Sequence, residues 1–206
     1  MIGLEKRVYL ASRSLRRREL LKQIGVNFEV LLLRGDPNRA ADVDETPLPD
    51  EPPAEYVSRM ARLKAQAGWL RVLERRLPDY PVVAADTTVV VDGATLGKPA
   101  NRDEAVAMLQ RLSGNQHEVL TAVAICRKEH LKMRLCTSMV EFRALDEAEI
   151  RRYVATGEPL DKAGAYAIQG RAGTFVSRLC GSYSGVMGLP LYETGELLAS
   201  FGYPPL

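Results

Sequence analysis

At 206 residues, 46% hydrophobic and 26% charged, the chain has an ordinary globular composition and is long enough to bury a core without disulfides. Its net charge of +2 excludes a broad nucleic-acid-coating surface, so any basic function is local. Three cysteines with no CxxC pair, no signal-peptide apolar region in the first ten residues and no run of about 20 apolar residues predict a reduced, cytoplasmic protein without a membrane span. His117 and His130, the two histidines, stand in different segments. That argues against a histidine-rich metal site and leaves oxygen ligands, which suit Mg²⁺ or Mn²⁺.

In chain order, Val8–Ala11 reads as a buried strand and Leu15–Ile24 as a helix capped by Ser14. Phe28–Leu33 is a second apolar strand. The Pro-, Asp- and Gly-rich stretch Arg34–Pro53 predicts an exposed loop, long enough to act as a flap. Ala54 to about Arg76 has helical period, with Tyr56, Val57, Met60, Leu63, Ala67 and Leu70 on or near one face. Pro81–Gly93 is a β-branched run ending in an Asp-Gly turn, as expected of a central strand. Arg102–Leu112 is amphipathic. His117–Phe142 alternates as two antiparallel strands joined at Lys128–His130. Asp146–Thr156 is a helix with Asp146 at its cap and Glu149 at the capping-box position. "GTFVSRLCGSYS" holds a strand and Leu189–Phe201 a closing helix. The pattern is one α/β domain over residues 1–206, with parallel crossovers and an antiparallel ribbon.

Four places carry chemistry. The helix after Ser14 begins with Arg16, Arg17 and Arg18, although cations are disfavoured at a positive helix N-terminus. A helical wheel turns Arg16 and Arg17 inward and Arg18 to solvent. An anion reverses the sign of the problem: the free N–H groups, Ser12, Ser14 and the two inward guanidiniums would converge on phosphate oxygens. The bland alternative is a solvated basic helix end. Asp86 lies inside an apolar strand, where a carboxylate is costly unless compensated; it suits a metal ligand or base, or else a bulge that hydrogen-bonds its own backbone. Lys98, between Gly97 and Pro99, is a stiffly held ammonium or an ordinary surface lysine. "EPLDKAGAYAIQG" (Glu158–Gly170) joins Asp161 and Lys162 to small residues and to Gln169, whose amide can both donate and accept toward a nucleobase edge. Together these form the equipment of a nucleotide hydrolase.

"LASRSLRRRELL", "DVDET", "AEYVSRMARLKA", "AADTTVVVDGATLGKP", "LSGNQHEVLTAVAI", "EPLDKAGAYAIQG" and "GSYSGVMGLPL", in that order and over almost the whole chain, resemble the Maf family of nucleoside triphosphate pyrophosphatases. The resemblance implies a mixed, twisted sheet flanked by helices, in two lobes with a central cleft. It also implies a divalent metal (Mg²⁺ or Mn²⁺), a homodimer, and hydrolysis of a nucleoside triphosphate to the monophosphate and pyrophosphate. By the same resemblance Asp86 is catalytic, and Glu45, Lys64 and Lys98 fall on the family's flap glutamate, helix lysine and LxKP lysine. With the residue reading, the expected metal ligands are Asp86, Glu45 and Asp161, and the expected phosphate ligands are Ser12, Ser14, Arg17, Lys64, Lys98 and Lys162. Arg16, Thr87 and Gln169 match the specificity positions of the class acting on dTTP and UTP. The chain departs from the family pattern at Leu15, where Pro is usual, at Leu63, where Glu is common, and in extra flap residues near Gly35–Ala41. Two rival readings are a pyrophosphatase acting on 7-methyl-GTP or another modified nucleotide, and a nucleotide-binding regulator of septum formation. The implied substrate is a free pyrimidine nucleotide, with no stable nucleic-acid or membrane partner.

Overall fold

The computed structural model describes residues 6–34 and 41–205. The first buried run is strand β1 (Arg7–Leu10), and Ser14 caps helix α1 (Leu15–Gln23) by accepting the Arg17 N–H. Strand β2 (Asn27–Val30) pairs parallel with β1 at the edge of the sheet. An edge strand has one free side, so Val30 and Leu32 stay exposed where a wholly apolar strand over Phe28–Leu33 was expected. Residues 41–52 are neither helix nor strand, as expected of the flap; of its extra residues near Gly35–Ala41, all but Ala41 lie outside the described residues. Helix α2 (Pro53–Glu74) starts on proline, whose missing N–H would have had no intrahelical partner there.

Strands β3 (Val82–Val91) and β4 (Ala94–Leu96) form a hairpin over Asp92-Gly93, both with positive φ as a two-residue type I′ turn requires. β4 has three residues, too few for any periodicity to announce it. Helix α3 (Arg102–Leu112) is capped by Asn101. Strands β5 (Gln116–Arg127) and β6 (His130–Phe142) are neighbours joined by only two residues, which makes them antiparallel. Helix α4 (Glu147–Ala155) is capped by Asp146, but Glu149 turns its carboxylate to Arg143 instead of closing the capping box. Three 3₁₀ turns (Glu158–Asp161, Ala163–Ala165, Arg171–Thr174) precede β7 (Val176–Cys180), the short helix α5 (Tyr183–Met187) and α6 (Leu191–Ser200).

The seven strands run β2-β1-β3-β5-β6-β7, with β4 added to β3. β1 pairs parallel with both β2 and β3, and α1 and α2 are the crossovers that such parallel pairs need. β6 and β7 are antiparallel. The architecture is therefore α/β with a mixed sheet flanked by helices. Among the described residues no helix is long and apolar enough to cross a membrane. Cys126 and Cys136 are buried and Cys180 is exposed.

The chain divides into two compact units, with one boundary falling between Asp86 and Thr87. The first comprises Met1–Asp86, Thr121–Cys136 and Gly188–Leu206; the second comprises Thr87–Leu120 and Thr137–Met187. In the second, α3 and α4 cover a core built from Val89, Leu109, Ile150 and the edge-to-face rings of Phe142, Tyr166, Tyr153 and Phe175. In the first, α2 packs close to the sheet. A Cβ on Gly68 would lie 2.6 Å from Val82 Cγ1 and 3.3 Å from Ala11 Cβ. The buried stripe of α2 therefore runs through Val57, Met60, Ala61, Ala65, Gly68, Trp69 and Val72. Leu70, expected on the inner face, is 58% exposed. Small side chains, rather than the most hydrophobic ones, mark the face of a helix that sits this close.

Candidate functional site

Within the first unit, Asp86 closes an inward-facing series. Val82, Ala84 and Asp86 alternate along β3 and so share one face of the strand. Lys64 and Gly68 are four residues apart on α2 and share its lower face. The close approach at Gly68 over Val82 thus sets Lys64 within reach of Asp86. Its Nζ lies 2.7 Å from Asp86 Oδ1 and 2.9 Å from Glu45 Oε1. Lys64 and Asp86 are about 15% exposed, whereas Glu45 is 60% exposed, so the flap carboxylate completes a pair seated in the fold. Three residues far apart in sequence meet on one ammonium, and the lone carboxylate expected to be costly in β3 has its compensating charge.

Glu45 is held by the backbone around it. Tyr56 on α2 donates its hydroxyl to the Glu45 carbonyl at 3.0 Å. Three residues on, Arg59 donates to the Thr46 carbonyl at 3.1 Å and forks onto both oxygens of Glu51 at 2.6 Å. That fork holds the Glu51 carboxyl below the usual range. Burial and the charges of Asp86 and Glu45 raise the Tyr56 phenol, which stays a donor at neutral pH. Further back, Arg71 holds Asp42 through both oxygens, and Asp42 also accepts the Arg34 N–H. Sequence reading placed Tyr56 on a helix face and gave Arg59 and Arg71 no role. The available signal was their place on the helix that carries Lys64, Tyr56 three residues before Arg59 and Arg71 seven after Lys64, together with a flap rich in Asp and Glu.

At the start of α1, Ser12 Oγ accepts the Ser14 N–H at 3.1 Å, and Ser14 Oγ accepts the Arg17 N–H at 3.4 Å. Arg17 Nε donates to the Gly188 carbonyl at 2.8 Å and its Nη1 reaches Ser12 Oγ at 3.4 Å. Its guanidinium pKa is lowered by burial, against the opposing pull of Asp86. Arg16 is half-buried. Arg18, expected to face solvent, is half-buried as well; its Nε is enclosed and has no hydrogen-bond partner among the described residues.

The remaining expected residues belong to the second unit. Thr87 follows Asp86 on β3 and is half-buried. Lys98 is exposed in a loop whose Gly97 carbonyl accepts the Gly164 N–H at 3.0 Å, which ties the "LGKP" and "DKAGAY" segments together. Lys162 donates to its neighbour Asp161 and to the Glu158 carbonyl at 3.2 Å. Gln169 is exposed at the end of this segment. In the same unit, buried His117 meets the Tyr166 hydroxyl through Nε2 at 2.9 Å, with ring edges of Phe142 and Tyr166 against its imidazole. Burial lowers the His117 pKa to about 4 and raises the Tyr166 phenol.

A hard divalent cation fits the first unit's oxygen donors. Glu45 and Asp86 already converge on one positive group, and Mg²⁺ is characteristically held by one or two carboxylates plus substrate phosphates. Among the described residues no cluster of three or more His, Cys, Asp or Glu could hold a metal on its own. Asp161 pairs with Lys162 in the second unit.

A family model described as Maf-like protein matches residues 7–201. The chain belongs to the Maf-like family. It is 56% identical over 205 residues to the dTTP/UTP pyrophosphatase of Aromatoleum aromaticum, covering 99% of this chain and 100% of that protein. It is also 56% identical to the dTTP/UTP pyrophosphatases of Nitrosomonas europaea (95% and 94% of the two chains) and Dechloromonas aromatica (97% and 100%). The fold resembles that of the Staphylococcus aureus Ham1 protein, with a TM-score of 0.50, 17% identity and coverage of 95% and 97%. The Maf resemblance and the α/β class read from sequence are both borne out.

Proposed function

We propose that this chain hydrolyses dTTP and UTP to the monophosphate and pyrophosphate. The single observation that carries the reading is the Lys64 ammonium held between Asp86 and Glu45, in a chain more than half identical to proteins named for that activity. Asp86 orients the attacking water and accepts its proton, or shares with Glu45 and Asp161 in holding a divalent metal. The water oxygen bonds the α-phosphorus while the bridge to the β-phosphate breaks, and pyrophosphate leaves in line. Bound Mg²⁺ or Mn²⁺ would neutralise phosphate charge and make water more acidic. Lys64, Lys98, Lys162 and Arg17, with the hydroxyls of Ser12 and Ser14, stabilise the phosphate oxygens, the main resource in phosphoryl transfer.

Arg16, Thr87 and Gln169 select the base. Uracil and thymine share an acceptor at O4 and a donor at N3, a pattern one glutamine amide can match. Cytosine reverses that pattern and leaves groups unpaired, so it is rejected. The same reading has the chain working as a cytoplasmic homodimer on free nucleotides. The test is pyrophosphate release from dTTP, UTP, CTP and 7-methyl-GTP, with and without Mg²⁺ or Mn²⁺. Metal-dependent turnover restricted to dTTP and UTP is expected. Preference for 7-methyl-GTP, or no turnover of any of the four, would overturn the assignment. Sedimentation of the purified protein checks the dimer.

A further inference from the structure

Gln169 stands in a turn that the chain's own backbone does little to hold. Beyond backbone hydrogen bonds from the Gly170 N–H to the Ala167 carbonyl at 2.9 Å and from the Gly173 N–H to the Gly170 carbonyl at 3.1 Å, the turn is tied to two side chains. On one side of Gln169, the Ala167 N–H donates to the Tyr153 oxygen at 3.3 Å. On the other, the Arg171 N–H lies 3.1 Å and 3.3 Å from the two Glu158 oxygens. The two side chains are joined, because the Tyr153 hydroxyl donates to Glu158 Oε1 at 3.0 Å. Burial and the Glu158 charge raise the Tyr153 phenol, which keeps it a donor. Gly170 sits against the carboxylate: a Cβ there would fall 2.7 Å from Glu158 Cδ and closer still to its Oε1, so a side chain at 170 would displace Glu158.

We propose that Glu158, braced by Tyr153, is the positioning residue that sets Gln169 for base selection, so that discrimination among pyrimidines depends on a carboxylate that does not itself touch the base. This rests on the reading that Gln169 contacts the base. The chemistry favours a carboxylate in this place. Oε1 accepts the phenol and both oxygens share the Arg171 N–H, so Glu158 pins one backbone arm flanking Gln169 directly and fixes Tyr153, which pins the other. A glutamine at 158 keeps one accepting oxygen, enough for the same two donors. An alanine releases the Arg171 arm and leaves Tyr153, which holds the Ala167 arm, without its acceptor.

The test is kcat/KM for dTTP, UTP and CTP in the full chain and its variants. Glu158→Ala is expected to lower the dTTP-over-CTP ratio about tenfold, the scale of one well-placed hydrogen bond, in the same direction as Gln169→Ala. Glu158→Gln should restore the ratio to within about threefold of the parent. The double variant should be no less selective than Gln169→Ala alone, since both changes remove one interaction. A purely scaffolding Glu158 would lower the melting temperature and scale all three substrates alike, and an unchanged ratio in folded Glu158→Ala overturns the inference. If Glu158→Ala does not fold, Tyr153→Phe removes the brace with little change of volume: a reduced ratio supports the inference and an unchanged one overturns it. If Gln169→Ala itself leaves the ratio intact, the base-contact reading fails and takes this inference with it. If Gln169→Ala shifts the ratio and Glu158→Ala does not, only the inference fails.

Discussion

The two units hold their candidate residues by different physics. In the first, Lys64, Asp86 and Glu45 are held by charge, and the flap is tied down by the Arg59–Glu51 and Arg71–Asp42 forks. In the second, the loop ending at Gln169 is held by hydrogen bonds from its N–H groups to Tyr153 and Glu158, a buried His117–Tyr166 contact and a glycine seated against Glu158. A charged cluster can lose a charge and keep its shape. A closely packed loop loses its shape first. Activity and stability should therefore separate between the two regions.

Asp86→Asn is the sharpest way to break the comparison. It should lower kcat by about 10³-fold, the range lost with a positioned proton acceptor, while the melting temperature stays near the parent's because the amide keeps the shape and Lys64 keeps Glu45. Pyrophosphate release and a thermal melt test both halves, and near-normal turnover would remove Asp86 from the chemistry.

His117 should show the opposite behaviour. Its pKa is lowered from 6.5 to about 4 in the folded chain, so between those values the unfolded chain binds a proton that the folded one refuses. Its contribution is thus fully present above pH 6.5 and is lost as the pH falls toward about 4. Integrated over that window, the loss is about 3 kcal/mol. Urea melts across the window should show the decline, and His117→Gln should flatten it. An unchanged pH slope in that variant would assign the decline elsewhere.

Gly68→Ala tests how α2 places Lys64. The new Cβ would meet Val82 Cγ1 at 2.6 Å, and overpacking of this kind costs about 2 kcal/mol. Stability and kcat should fall together, since lifting the helix also lifts Lys64. The smallest expected effect is at Arg59→Ala. Release of Glu51 and the Thr46 carbonyl loosens Glu45 and should lower kcat/KM about tenfold. Glu45→Ala/Arg59→Ala should then be no worse than Glu45→Ala, and additive losses would separate Arg59 from Glu45.

Much of the fold is legible locally. Ser14 and Asp146 cap the helices that follow them, and Asp92-Gly93 turns its hairpin, because capping and turn chemistry act within a few residues. Short β4 and α5 escaped, being too brief for a period to show. Hydrophobicity points to Leu70 as an inner residue of α2, whereas a closely packed helix buries Ala65 and Gly68 instead. The solvent face assigned to Arg18 failed for a related reason: a wheel describes one helix and not what packs around it.

What the sequence determined by itself was the class of structure, the element boundaries to within a few residues, the family, and the oddity of an aspartate inside an apolar strand. Tertiary structure decided which charges meet. Lys64 is separated from Asp86 by 22 residues, and their pairing depends on the parallel register of β1 with β3 and on the depth to which α2 settles over Gly68. It also decided that Glu158 and Tyr153 brace the turn at Gln169. Such contacts follow from sheet register and close packing, which many residues set jointly, and no short stretch of chain encodes them.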